Sequence, residues 1–129
     1  MSKRKVIKVK HIMTQNYICM DGMQTIREAI TSMQENKVDA IIVNKRDDDD
    51  SFGILLLSDI AKLVLARDRS PERVNIYEIM SKPVLSISPE MDVRYCARLF
   101  ESFGLTIAPA IEGEKILGLV GYRELVLHE

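Results

Sequence analysis

The sequence predicts an α+β protein made of two β-α-β-β-α repeats packed sheet to sheet with pseudo-twofold symmetry. Three observations carry that expectation. The triplet "IMT" at residues 12–14 returns as "IMS" at 79–81, an offset of 67. The apolar helical spacing Ile26, Ala29, Ile30, Met33 returns at the same offset as Val93, Cys96, Ala97, Phe100. A glycine before the last strand recurs as Gly53 and Gly118. There the offset is two shorter because the loop "KRDDDDSF" is two residues longer than its counterpart "EGEKIL". Self-similarity at a fixed period is the mark of a duplicated structural unit.

The elements follow in order. "YICM" and "VLSI" each read as a strand of about four residues, ended by a turn at Asp21-Gly22 or Ser88-Pro89. The first long helix opens on a capping-box pattern, Thr25 with Glu28, and its counterpart opens after Asp92 as N-cap. "DAIIVN" and "TIAPAI" read as buried strands. "GILLLSDIAKLV" and "GLVGYRELVLH" each give a glycine, a short strand and a helix. The copies span residues 1–69 and 70–129. "RDRSPERVN" forms the hinge, with Ser70-Pro71 suited to a helix start. A unit this small with one sheet has a face it cannot bury alone. The two copies should therefore bury Ile41, Val43, Leu55, Ile107, Ala110 and Val120 and leave clefts at the strand ends. Clefts without a catalytic constellation predict a binding module.

Composition sets the outer limits. Apolar residues make up 47% and charged residues 29% of 129, the range of a soluble globular protein. A net charge of -1 gives no global attraction to nucleic acid or to an anionic membrane. No apolar run reaches the length of a membrane span, and the basic start "MSKRKVIKVK" lacks the apolar core of a signal peptide. The expected location is the cytoplasm, with both Cys19 and Cys96 as buried, reduced thiols.

The ordered landmarks "IMT", the apolar helix, "NKVDAIIV" and "GILLLSD", with their return as "IMS", "FGLTIAPAI" and "GLVGYRE", closely resemble a CBS domain. Their duplication resembles a tandem CBS pair, or Bateman module, over nearly the whole chain. The resemblance implies a stand-alone regulatory sensor, not an enzyme, that binds an adenine-containing small molecule and signals to a regulated protein in trans. AMP, ADP, ATP and S-adenosylmethionine are the implied ligands, and no cofactor is required. Nucleotide-binding copies of the family close with glycine, two residues, Thr or Ser, two residues, then Asp. The hydroxyl meets phosphate or ribose, and the carboxylate accepts from both ribose hydroxyls, a charge-assisted pairing. In the first copy Gly53 and Asp59 match while Leu56 replaces the hydroxyl residue. In the second, Gly118 matches, Gly121 replaces the hydroxyl and Glu124 replaces Asp. Carried onto this chain, the ligand-facing set is Thr14, Ile18, Asp39, Ile42 and Asp59, with Ser81, Leu85, Thr106, Pro109, Tyr122, Arg123 and Glu124.

Each of these residues also has a plainer reading. Asp59 fits a helix cap as well as a ribose acceptor. Thr14 and Ser81 fit the turn before a strand, and Ile42 and Pro109 fit core packing. Tyr122 and Arg123 suit an adenine stacking face and a phosphate contact, or a solvated helix start. Asp47 to Asp50 lack the alternating spacing of a calcium loop and read as a solvated loop. The basic head of Lys3, Arg4, Lys5, Lys8 and Lys10 has no interleaved aromatics, so no nucleic-acid binding is expected. His11 and His128 make no metal-ligand spacing. Apolar helix positions such as Leu63, Val64, Leu99 and Phe103 exceed what exposed faces need and predict a homodimer. The alternative function is a ligand-free dimerisation scaffold.

Overall fold

Two helices with sequence-encoded starts organise the chain. In the computed structural model, which describes residues 5–128, α2 spans Ile26–Asn36 and α4 spans Val93–Phe103. Thr25 Oγ1 accepts from the Glu28 amide at 3.1 Å, and Glu28 Oε1 accepts from the Thr25 amide at 3.2 Å. This is the reciprocal capping box that the sequence predicts. Asp92 caps α4 by accepting from the Arg94 amide at 2.8 Å. Both helices stop at a left-handed residue, Lys37 and Gly104. The buried faces, Ile26, Ala29 and Met33 on α2 and Val93, Cys96 and Phe100 on α4, sit 67 residues apart.

The compact units are not the sequence copies. One, the middle unit, spans residues 16–84; the other, the terminal unit, joins residues 5–15 to 85–128. The middle unit holds a three-stranded sheet of β1 (Ile18–Met20), β2 (Ala40–Val43) and β3 (Gly53–Leu56). β1 runs parallel to β2, and β2 antiparallel to β3. After β3 the chain enters α3 (Leu57–Ile60), which continues as a π-helical turn over Ala61–Leu65. The core packs Ile41, Val43 and Leu55 against α2 residues and Val64. Val64, expected on an exposed face, is fully buried.

The terminal unit pairs β4 (Ile107–Glu112) antiparallel with β5 (Lys115–Gly121), followed by α5 (Tyr122–Leu127). Its core joins Val9, Cys96, Phe100, Ala110 and Val120. The expected strand at "VLSI" does not form. Only Ile87 bridges, in parallel, to Ala110. Pro83 and Pro89 flank this stretch, so each end lacks an amide to donate to a ladder. In the hinge, Ser70-Pro71 opens a turn closed by the Arg73 amide on Ser70 O at 2.9 Å, not a helix.

The leader before each copy's first strand accounts for the unit boundaries. A short helix, α1 (Val9–Ile12), precedes "MT", and a 3-10 turn, Ile76–Glu78, precedes "IMS". Sequence periodicity did not reveal either. Thr14 exchanges both backbone bonds with Leu119, at 2.8 and 3.0 Å, and Ser81 does the same with Ile54, at 2.9 Å each. The leader of each sequence copy therefore completes the sheet that carries the other copy's glycine strand. Four backbone contacts repeat the arrangement at the 67-residue offset. The Ile26 amide meets Val74 O and the Val93 amide meets Ile7 O; the Ile76 amide meets Gln24 O and the Val9 amide meets Met91 O. The two units are thus built alike, each from both halves of the sequence.

The "DDDD" loop also carries structure. Asp47, Asp48 and Asp49 are exposed, but the Asp50 side chain is only 8% exposed. Lys82 Nζ lies 2.7 Å from it, and the Arg46 amide and Nε lie at 2.9 and 3.1 Å. Those bonds, that of Lys82 foremost, hold the Asp50 carboxyl far below its usual range. In the terminal unit, Lys10 and then Lys8 lower Glu90 from 4.5 to about 2. Two members of the basic head are thereby engaged in ion pairs. Lys3 and Arg4 lie outside the described residues.

A carboxyl whose folded pKa is depressed stabilises the fold fully above its unfolded pKa and loses that contribution as pH falls through the folded value. The melting temperature is therefore expected to stay level from about pH 7 to 5 and to fall below about pH 4.5. Asp50→Asn should lower the neutral-pH plateau and flatten the acid limb, and Glu90→Gln, whose pairs are exposed, should do so less. Calorimetry across that pH range checks both slopes.

Candidate functional site

The closing acid of each copy stands just past a strand end, where the backbone turns into a helix. In the middle unit, Asp59 is the third residue of α3, and its Oδ2 accepts from the Leu56 amide at 2.9 Å. In the terminal unit, Glu124 Oε1 accepts from the Gly121 amide at 2.7 Å in the equivalent position. Both acids thus satisfy an amide that the helix start would leave open. Neither is the N-cap itself, since Leu56 and Gly121 hold that place. A carboxylate has a second oxygen with its own lone pairs, so the bond to Leu56 leaves Asp59 Oδ1 able to accept.

The other predicted residues divide between the units. Asp39 precedes β2, is exposed, and its carbonyl accepts from the Leu57 amide at 2.9 Å, two residues before Asp59. Ser81, Ile54, Ile42 and Cys19 are successive partners in one row across the middle sheet. Ile42 is fully buried, and Ile18 is half-buried on β1 beside Ile41. In the terminal unit, Thr14, Leu119 and Pro109 make the matching row. Pro109 is fully buried and its carbonyl accepts from the Ile87 amide at 3.0 Å. Thr106 is exposed just before β4, and Leu85 is exposed outside any strand.

The leader exchange re-pairs the candidates. Ser81 shares a compact unit with Asp39 and Asp59, whereas Thr14 shares one with Thr106 and Glu124. Reading each sequence copy as its own site separates hydroxyl from acid; the fold brings them into one unit. Tyr122 turns its ring edge-on to Phe100, with centroids 5.5 Å apart at 76°, and remains 47% exposed. Arg123 is exposed.

The thiols need one correction. Cys96 is buried on α4, but Cys19 is exposed. Strand alternation sends Met20 into the core and Cys19 to the other side. Desolvation raises both thiols, Cys96 to about 11, so each stays protonated near neutral pH and is a poor nucleophile. Among the described residues no three His, Cys, Asp or Glu side chains gather as a metal cluster, and no helix is long and apolar enough to cross a membrane.

Sequence reasoning missed a cavity in the middle unit formed where residues 21–23, the end of β2 and the "IMS" leader converge. Its signal in the sequence was faint: a lysine directly after "IMS" and the last Asp of an acidic run.

A family model described as the CBS domain matches residues 9–66 and again 76–128. A hexameric CBS-CP12 protein from bloom-forming cyanobacteria superposes with a TM-score of 0.93 at 34% identity, over 97% of this chain and 73% of that one. A CBS domain protein from Pyrobaculum aerophilum, complexed with AMP, superposes at 0.81 with 16% identity, over 93% and 91% of the two chains. A protein of Methanopyrus kandleri is 24% identical over 122 residues, 93% of this chain. The chain spans 61% of that relative's length and 43% of the length of a similar protein from Thermofilum pendens.

Proposed function

This chain belongs to the CBS domain family, with two copies in tandem, and on that premise we propose that it is a regulatory module that binds an adenine nucleotide or adenosyl metabolite and signals to a partner protein. The observation that carries the proposal is Asp59. It closes the only copy that keeps both the family's glycine and its acid. One carboxylate oxygen is fixed by the Leu56 amide, which orients the group. The other can accept from a ribose diol, while Ser81, on the adjoining leader of the same unit, supplies the hydroxyl that Leu56 lacks. The AMP complex of the Pyrobaculum aerophilum protein supports the ligand class. In the terminal unit, Glu124 and Gly121 depart further from the family pattern, so the middle unit is the proposed sensor.

Self-association belongs to the same reading. Leu57 and Leu65 in the middle unit, and Phe103 and Val126 in the terminal unit, are between 50% and 68% exposed on helical segments, apolar area of the kind that partners cover. The hexameric relative supports it. A homodimer is expected in sedimentation equilibrium at micromolar concentration; a mass of 14.7 kDa throughout would reject it.

Ligand binding is tested by thermal shift with AMP, ADP, ATP, S-adenosylmethionine and NAD. Hydrogen bonds to a charged group are worth roughly 1.5 to 3 kcal/mol, so Asp59→Ala should weaken the bound nucleoside compound about 10- to 100-fold. Loss of the bond to Leu56 should also cost about 1 kcal/mol of stability without ligand. The two effects separate because the first shrinks only the ligand-induced rise. No rise with any of the five compounds would favour the scaffold reading, in which both acids serve only their helix starts.

A further inference from the structure

The middle unit holds a cavity of about 390 Å³ at the end of β2 away from Asp59. Register fixes the separation. Ala40 pairs with Leu56, beside Asp59, whereas Val43 pairs with Gly53 at the cavity end. Three residue steps of strand separate the two ends, roughly 10 Å. The cavity is within the usual range for small-molecule sites, and it is independent of the nucleotide reading.

Its walls combine two chemistries. Val43 and Met80 form an apolar floor, the first buried and the second half-buried. Met23 and Tyr77 also line it, with 70% and 51% of their surface exposed, apolar area that an occupant would take out of water. Arg46 and Lys82 add two cations. Asp50, beside them, fixes both: it holds Lys82 Nζ at 2.7 Å and Arg46 through Nε at 3.1 Å. Neither cation is used up. An ammonium has three donors and a guanidinium five, and the Arg46 side chain is still 81% exposed. Asp21 is the single carboxylate among the described lining residues, and its Oδ1 accepts from the Met23 amide at 2.9 Å. Asp50 and Asp21 together offset the two cations, so the surroundings oppose a polyphosphate, and a single carboxylate would be held by the remaining N–H donors of Arg46 and Lys82 rather than by a net field.

We infer that this cavity binds a small organic monoanion, a carboxylate carrying an aromatic or branched apolar body. The carboxylate meets Arg46 and Lys82, and the body lies against Val43, Met80, Met23 and Tyr77. Because Tyr77, Met80 and Lys82 belong to the leader that pairs through Ser81 with Ile54, an occupant ties that leader to β2.

The test is a two-dimensional NMR titration of the full chain with 3-phenylpropionate. Saturable shifts are expected at the Gly22, Met23, Asn44 and Tyr77 amides, with a dissociation constant at or below about 1 mM. Arg46→Gln, which leaves the Lys82–Asp50 pair intact, and Met23→Glu should each weaken binding about 10-fold or more. Both positions are exposed, so both variants should fold. The uncharged 3-phenylpropanol and acetate should each bind at least about 10-fold more weakly, since each keeps half of the recognition. Asp59→Ala should leave the titration unchanged, which separates this site from the nucleotide reading. Absence of saturable shifts, equal binding by Arg46→Gln, or equal binding by the alcohol overturns the assignment.

Discussion

The structure depends on one close approach, that of a leader backbone to a glycine strand. At Gly118 an added Cβ would lie 2.9 Å from Thr14 O and within 2.9 Å of the Met13 side chain. At Gly53 it would lie 2.8 Å from Met80 Sδ and 3.2 Å from Ser81 O. The glycines therefore admit the leaders, and the leaders carry the bridges that complete each sheet. This explains the triplets "IMT" and "IMS" physically. Ile12 and Ile79 pack on opposite units' cores, the methionine lies against glycine, and the hydroxyl residue makes the paired backbone bonds.

From that constraint the rest follows. A leader that completes the other copy's sheet makes each unit an assembly of both halves of the sequence. The same exchange sets Ser81 beside the sheet that ends at Asp59, and Thr14 beside the one that ends at Glu124. Candidate hydroxyl and candidate acid fall in one unit only because the copies exchange leaders. The acids serve structure at the same time, each accepting from an amide at its helix start. Those bonds hold each carboxylate in place, which would lower the cost of ordering it for the ligand role proposed above.

Much of this was legible in the residues. Thr25 with Glu28, Asp92, and the 67-residue recurrence of apolar faces encode local geometry, and local geometry is what short sequence patterns report. The leader exchange was not legible. A bridge of one residue pair leaves no periodicity, and α1 is a single turn whose apolar residues resemble the start of a strand. The "VLSI" run has strand composition, but two prolines nearby remove the amides that a ladder needs. Asp50 hid among identical neighbours, because its partner Lys82 lies 32 residues away. The candidate site was legible as a set of residue types, and its grouping in space was not.

Substitution at the two glycines addresses the constraint most directly. Gly118→Ala drives a Cβ against backbone, which cannot yield as a side chain can, whereas Gly53→Ala meets chiefly the flexible end of Met80. Overpacking of this kind costs about 1 to 3 kcal/mol. Urea unfolding with amide hydrogen exchange should show Gly118→Ala at the upper end of that range, with the Thr14 and Leu119 amides losing protection first. Gly53→Ala should cost less and expose Ser81 and Ile54 instead. Equal tolerance of alanine at both positions, with all four amides as protected as in the parent chain, would contradict the leader exchange as the element that holds the fold.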